Sequence, residues 1–308
     1  MRARAEAEIA RIAGFAEGAV GLAARHLGSG LALGHRADEG FPMASTVKVP
    51  LALAVLELVD AGKLQLDQMV AVDPLEMNPS APIGEEFLYP GVALSLLNLL
   101  EPMITRSDNT ATDVLFRLAG GPAAVAAYLA RLGVAGITPS RSVRDLLIVL
   151  YGLDPGPQTS LRDALRALSP AALAAARARA QGRHPAYSSD PRDQATPAGM
   201  VELLARLFHA EGISRAARDT LLPIMGRTST GLRRIEGRLP KGVAVANKTG
   251  SASGTTNDVG IVTLPCGRGA VAMAVYVKDS ALPPAEREDV IADVARTAYD
   301  YFMIASEV

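Results

Sequence analysis

The chain has 308 residues, 49% of them hydrophobic, with 31 basic residues against 32 acidic ones and a formal net charge of −1. That length allows one large core or two modest ones. The balanced charge, the 4% aromatic content and the absence of Trp argue against nucleic acid as a partner, and the single cysteine, Cys266, excludes an internal disulfide or a cysteine-based zinc site.

In chain order, residues 3–15 place charged and apolar groups at helical spacing and predict a helix. Glu6, Glu8 and Glu17 interrupt any apolar run near the start, so no secretory-type segment is read there. The expectation is a protein that is cytoplasmic as written, or periplasmic or secreted if this is a mature form. Next, "GAVGLAARHL" and "GLALGHR", joined by Gly28-Ser29-Gly30, predict a β-hairpin. The most apolar window, Val49 to Val59, contains Pro50 and Glu57. It is too short to span a membrane and predicts a buried helix. The middle of the chain is rich in Ala and Leu, with loop-like stretches at 73–84 and 181–197. "NDVGIVTLP" and "GAVAMAVYV" flank "CGRG" and predict a second hairpin, and 284–304 predicts a closing amphipathic helix. Strands at both chain ends and helices between them give an α+β fold. The expected architecture is an antiparallel sheet flanked by N- and C-terminal helices (residues 1–43 and 223–308), plus an inserted all-α domain (44–222). The active site would lie between them.

Three short stretches carry chemistry. In "ASTVKVP", Ser45 opens the buried helix and Lys48 follows one turn later on the same face. A serine hydroxyl needs a neighbouring base to become a nucleophile, and a lysine can be that base if burial lowers its pKa. Backbone N–H groups at the helix start favour developing negative charge. Pro50 predicts an irregular first turn. In "SDNTATD", Ser107 is a second hydroxyl and Asn109 an amide able to hold a substrate carbonyl or amide. In "NKTGSASG", Lys248 supplies a cation, Thr249 and Ser251 hydroxyls, and Gly250 room for close backbone approach. On an edge strand this segment could pair with an extended acyl-amide substrate. Singly, each stretch equally serves as a helix cap or a turn-rich strand entry.

Together and in this order, S-x-x-K, S-D-N and K-T-G form the signature of class A β-lactamases and penicillin-binding proteins. The chain resembles the class A β-lactamase family from about residue 18 to 303. The similar stretches include "RADEGFPMASTVKVPLALAVLELVDAGKLQLDQ", "RSDNTATDVL", "DPRDQATPAGMVELLARL" and "TSTGLRRIEGRLPKGVAVANKTG". The resemblance implies a β-lactamase/transpeptidase-like fold and a serine hydrolase working through an acyl-enzyme, without metal or cofactor. It implies Ser45 as nucleophile, Lys48 as its base and Ser107 as proton donor to the leaving nitrogen. Asn109 would hold the acyl side-chain amide, and Lys248 and Thr249 the substrate carboxylate. Arg234 would assist them, with Arg233 and Arg238 as nearby alternatives. The backbone N–H groups of Ser45 and Ser251 would form the oxyanion hole. The implied partner is a small β-lactam or related amide or ester, met by a monomer.

The family's omega loop carries Glu-x-x-Leu-Asn about a dozen residues before an Arg-Asp pair. Here Arg192-Asp193 follows "ARARAQGRHPAYSSDP", which holds no Glu, and Arg192 lies 83 positions after Asn109. The extra length predicts helices. The base that would activate a deacylating water is not identifiable. Asp145, Asp154, Asp163 and Asp190 are open substitutes, none favoured. β-Lactam hydrolysis is the first expectation. A D,D-peptidase, an esterase or amidase, or a β-lactam-acylated sensor with slow deacylation are the alternatives.

Overall fold

A computed structural model describes residues 1–305. The main sheet has five antiparallel strands: β1 (Ala19–His26), β2 (Ala32–His35), β3 (Val245–Ala252), β4 (Thr255–Thr263) and β5 (Ala270–Lys278), in the order β2-β1-β5-β4-β3. Both expected hairpins form, and β5 between them joins the two chain ends, with Ala19 opposite Lys278 and His26 opposite Val271. Strand β5 reads as a continuous apolar run because both its faces are covered. Val271, Met273, Val275 and Val277 pack on one side with α1 (Arg2–Ala13) and the C-terminal helix Pro284–Ala305. Ala272, Ala274 and Tyr276 face the helical body. The alternation is the two-residue period of a strand.

The centre of the helical body is α2 (Lys48–Asp60), in which every residue from Lys48 to Leu56 is buried. Four helices pack on it: α3 (Leu96–Thr105), α4 (Asn109–Ala119), α5 (Pro122–Arg131) and one at Arg215–Met225. A helix apolar all round must be enclosed on all sides. Replacing a residue such as Leu53, 1% exposed, by Ala costs about 2–5 kcal/mol.

The extra length folds as α6 (Val143–Tyr151), α7 (Leu161–Arg166) and α8 (Pro170–Gln181). Ser142, Ser160 and Ser169 cap them by accepting backbone N–H bonds from Asp145, Asp163 and Ala172. They share a small core of Leu161, Leu165 and Ala176. Two stretches expected as loops contain short elements. Residues 73–84 hold a 3₁₀ turn at Pro74–Glu76 and the start of a helix at Ile83–Glu86. Residues 181–197 hold a helical turn at Pro185–Ser188 and a two-residue strand at Gln194–Ala195, which pairs with Phe41–Pro42 and Ile137–Thr138. Such elements come from tertiary pairing, which no local pattern announces.

Candidate active site

Ser45 sits on a 3₁₀ turn, Ala44–Val47, that leads into α2. Pro50 falls third in α2, where its missing N–H would in any case lack a helical partner. Ala44 holds φ at 46°, a left-handed value that costs a residue with a Cβ. The bend is held from outside: Asn257 Nδ2 donates to the carbonyls of Pro42 (2.8 Å) and Met43 (3.1 Å). Ser45 stays partly exposed while its neighbours are buried.

Lys48 is fully buried, and Nζ donates to Ser107 O (2.7 Å), Ser107 Oγ (3.1 Å) and Asn109 Oδ1 (2.8 Å). Ser107 reaches it through a left-handed backbone, φ 59°. Asp108 fixes that bend as the cap of α4, accepting Ala111 N at 2.7 Å and Ile83 N at 2.8 Å. Burial pulls the Lys48 ammonium down to about 7, with Asp108 and Asp113 opposing the shift. Near neutral pH the side chain therefore exists partly as a free amine, the form able to accept a proton. The first two sequence stretches thus meet at one nitrogen.

The third stretch lies on β3, at the edge of the sheet. Lys248 is fully buried, and Nζ donates to Thr249 O at 2.8 Å. Burial, Lys48 and Arg234 pull its pKa well down, with Asp258 opposing. Thr249 Oγ1 and Thr230 Oγ1 are 2.6 Å apart, giving two hydroxyls at one corner. Gly250 is needed for contact: a Cβ there would lie 2.8 Å from Met43 O and 3.1 Å from Ser45 N. That approach brings Ser251 beside the turn carrying Ser45, and both residues line one cavity. Arg234 is buried. It donates to Gly250 O (3.0 Å), Asn257 O (2.8 Å), Ser251 Oγ (2.7 Å) and Glu288 Oε1 (3.0 Å). Arg233 and Arg238 instead pair with Asp289 and Asp293 on the surface.

Sequence reasoning missed two buried carboxylates. Asp258 accepts both Asn247 Nδ2 (2.9 Å) and Ile235 N (3.1 Å), and burial pushes its carboxyl up to about 7. Asp113 accepts Asn78 Nδ2 (2.8 Å), Val143 N (2.8 Å) and Arg144 N (2.9 Å), and burial pushes it up to about 6. The available signal for Asp113 was an acid amid the apolar residues of α4, four positions after Asn109.

The deacylation region differs in where it begins. Arg141 Nε donates to Asp193 Oδ2 at 2.5 Å, and the backbone N–H groups of Ser140 and Arg141 donate to Oδ1 at 2.7 and 3.0 Å. This clasp makes 142–192 one long excursion, so the residues facing Ser45 come from its start. A cavity of about 60 Å³ beside Ser45 is walled by Val143, Leu146, Leu147 and Leu150. Its only carboxylate among the described residues is Asp193, already held in the clasp. None of the four candidate aspartates lines it. Asp145 and Asp154 are exposed. Asp163 bonds Ser160 and Arg162. Asp190 is held down at about 2 by Arg192, aided by Arg141.

An antiparallel sheet on a helical body, with a serine and two buried lysines at the seam, defines the class of penicillin-recognising serine hydrolases. Residues 4–302 match the model of the Beta-lactamase enzyme family, and the chain belongs to that family. It is a hydrolase of the β-lactamase type. The extended-spectrum beta-lactamase PER-1 of Pseudomonas aeruginosa is 33% identical over 271 residues, covering 85% of this chain and 76% of that protein. Beta-lactamase VEB-1 of the same organism is 29% identical, covering 86% and 79%. Among solved structures, a beta-lactamase from Chitinophaga pinensis DSM 2588 superposes with a TM-score of 0.78 at 32% identity, covering 97% and 99%. The last common ancestor of Gram-negative bacteria class A beta-lactamase gives 0.80 at 31%, covering 97% and 99%.

Proposed function

We propose that the protein opens β-lactams by acylation at Ser45 and releases the product slowly. The observation that carries the first half is the buried Lys48 amine, lowered to about 7 and bonded to Ser107 and Asn109. The free amine takes the Ser45 hydroxyl proton as Oγ attacks the lactam carbonyl carbon. The carbonyl oxygen becomes an oxyanion, received by the backbone N–H groups of Ser45 and Ser251. Collapse breaks the C–N bond, and Ser107 gives its hydroxyl proton to the leaving nitrogen, recovering one from Lys48. Asn109 orients the acyl amide. Lys248, Thr249 and Thr230 receive the substrate carboxylate, with Arg234 bracing Gly250 and Ser251 behind them.

The second half rests on the wall of Val143, Leu146, Leu147 and Leu150. Polar groups at its rim, Asn109, Ser142 and Arg141, can hold a water there, but its one carboxylate among the described residues, Asp193, is engaged by Arg141 and two backbone N–H groups, so the water finds no free base. The same observation supports a persistent acyl-enzyme, as in a β-lactam sensor, or turnover of a small ester or amide whose acyl group leaves more readily. Intact mass after mixing with benzylpenicillin separates these readings: a long-lived adduct is expected, absent in Ser45→Ala. Labelling retained in Ser45→Ala would overturn the assignment of the nucleophile.

A further inference from the structure

A second cavity, of about 390 Å³, adjoins the first and shares Asn109, Leu147, Leu150, Ser251 and Ala252 with it. It runs past the end of β3 to the start of the helix Pro284–Ala305. Three arginines line it, Arg177, Arg234 and Arg287, and no aspartate or glutamate does among the described residues. Arg234 is fully engaged. Arg177, on α8, pairs with no carboxylate among the described residues.

Arg287 is the unusual member. It is 5% exposed, and its Nε and Nη1 are buried without a hydrogen-bond partner. Nearby Glu288 is bonded to Arg234 instead. A buried guanidinium without a partner is costly. Its place in the first turn of a helix adds to the cost, since that end already carries partial positive charge. Thr255 Oγ1, on the same cavity, is also buried and unpartnered. Both residues line the cavity, so an anion bound there could reach these groups once the side chains turn toward it.

We infer that this cavity binds an anionic group on the acyl half of the substrate, a carboxylate or similar oxyanion, between Arg287, Arg177 and the Thr255 hydroxyl. The assignment to the acyl half follows from the shared wall. Asn109 and Ala252 belong to the cavity, while Lys248, Thr249 and Thr230 do not. The substrate class is therefore an acyl donor with two negative charges, one at each end of the reacting carbonyl. This inference rests on acylation at Ser45.

The test uses the full chain and two penams, benzylpenicillin and an analogue bearing a carboxylate on the phenyl ring. Second-order rates of adduct formation are read by intact mass. The carboxylated penam should react about tenfold faster or more. Arg287→Met and Arg177→Met should each bring that ratio close to one. An equal ratio in wild type and both variants would overturn the inference. If neither penam labels Ser45, the proposed function fails and the cavity is judged separately by thermal melting with glutarate. Glutarate should raise the wild-type melting temperature and leave Arg287→Met unmoved; an equal rise in both overturns the inference. Without ligand, Arg287→Met should melt higher than wild type, because it removes an unpaired buried charge. A lower melting temperature would assign Arg287 a structural role and count against the inference. Should that variant not fold, Arg177→Met carries the test, because Arg177 is exposed.

Discussion

Asp113 Oδ1 accepts the backbone N–H of Val143 at 2.8 Å across thirty positions of sequence. Through this bond the helix carrying Asn109 sets the start of α6, and with it the apolar wall beside Ser45. A carboxylate at a helix N-terminus is a favourable anchor. Asn109, which bonds Lys48, and the apolar wall beside Ser45 are therefore both positioned by one element, α4.

The two buried lysines should fail differently when removed. Lys48→Ala should slow acylation by about a hundredfold or more with little change in binding. Lys248→Ala should also weaken the binding of carboxylate substrates. Acylation should rise with pH through about 7, as Lys48 loses its proton. Stopped-flow acylation across pH 5–9 reads this. Equal losses from Lys248→Ala for uncharged esters and carboxylates would contradict its role.

Turnover of a β-lactam should show a burst of one product equivalent per enzyme, followed by a slow steady rate. Replacing Asp145, Asp154, Asp163 or Asp190 singly should leave the slow phase unchanged, since none lines the cavity beside Ser45. Burst-free turnover at about hundreds per second would reveal a base elsewhere. Loss of the slow phase in one aspartate variant, with the burst intact, would name it.

A carboxylate placed on the wall should supply what is missing there. Val143 is the first residue of α6 and lines the cavity with Ser45. An acid is compatible with a helix start. Val143→Glu should raise the steady rate about tenfold or more while the burst persists or shrinks. An unchanged steady rate, in a variant that melts like wild type, would mean that slow release has another cause.

Asp258 makes stability depend on pH. Its carboxyl is raised from the ordinary 3.8 to about 7 by burial, so the folded state holds its proton more tightly than the unfolded one. Its contribution is full below about pH 4 and is lost as pH rises through about 7. Asp258→Asn should flatten that part of the profile, seen as a smaller fall in urea midpoint between pH 5 and 7.5. An unaltered slope would show that Asp258 titrates normally.

Much of this molecule was legible in the chain. The two hairpins follow from alternation and Gly-rich turns, and α2 from its unbroken apolar run. The three motifs could be placed because each is short and local. The clasp could not: Arg141 and Asp193 are 52 positions apart, and no local pattern pairs one arginine with one aspartate over that distance. Arg234 could be picked by position but not told from Arg233 and Arg238. Only burial against Ser251 and Asn257 separates one arginine from its neighbours. Asp113 and Asp258 went unassigned because a buried acid and a surface acid look alike in a sequence.

The insertion also touches the sheet. The backbone N–H of Ser253 donates to Ala180 O at 3.1 Å, and Arg183 pairs with Asp279. Ala180 lies on α8, so the far end of the edge strand is already occupied by the protein's own chain. Beyond Ala252 the outward edge of β3 therefore meets α8 rather than open solvent. The open edge of the sheet is thus closed at one end from within the chain, and the insertion and the sheet are tied together at the very margin of the site.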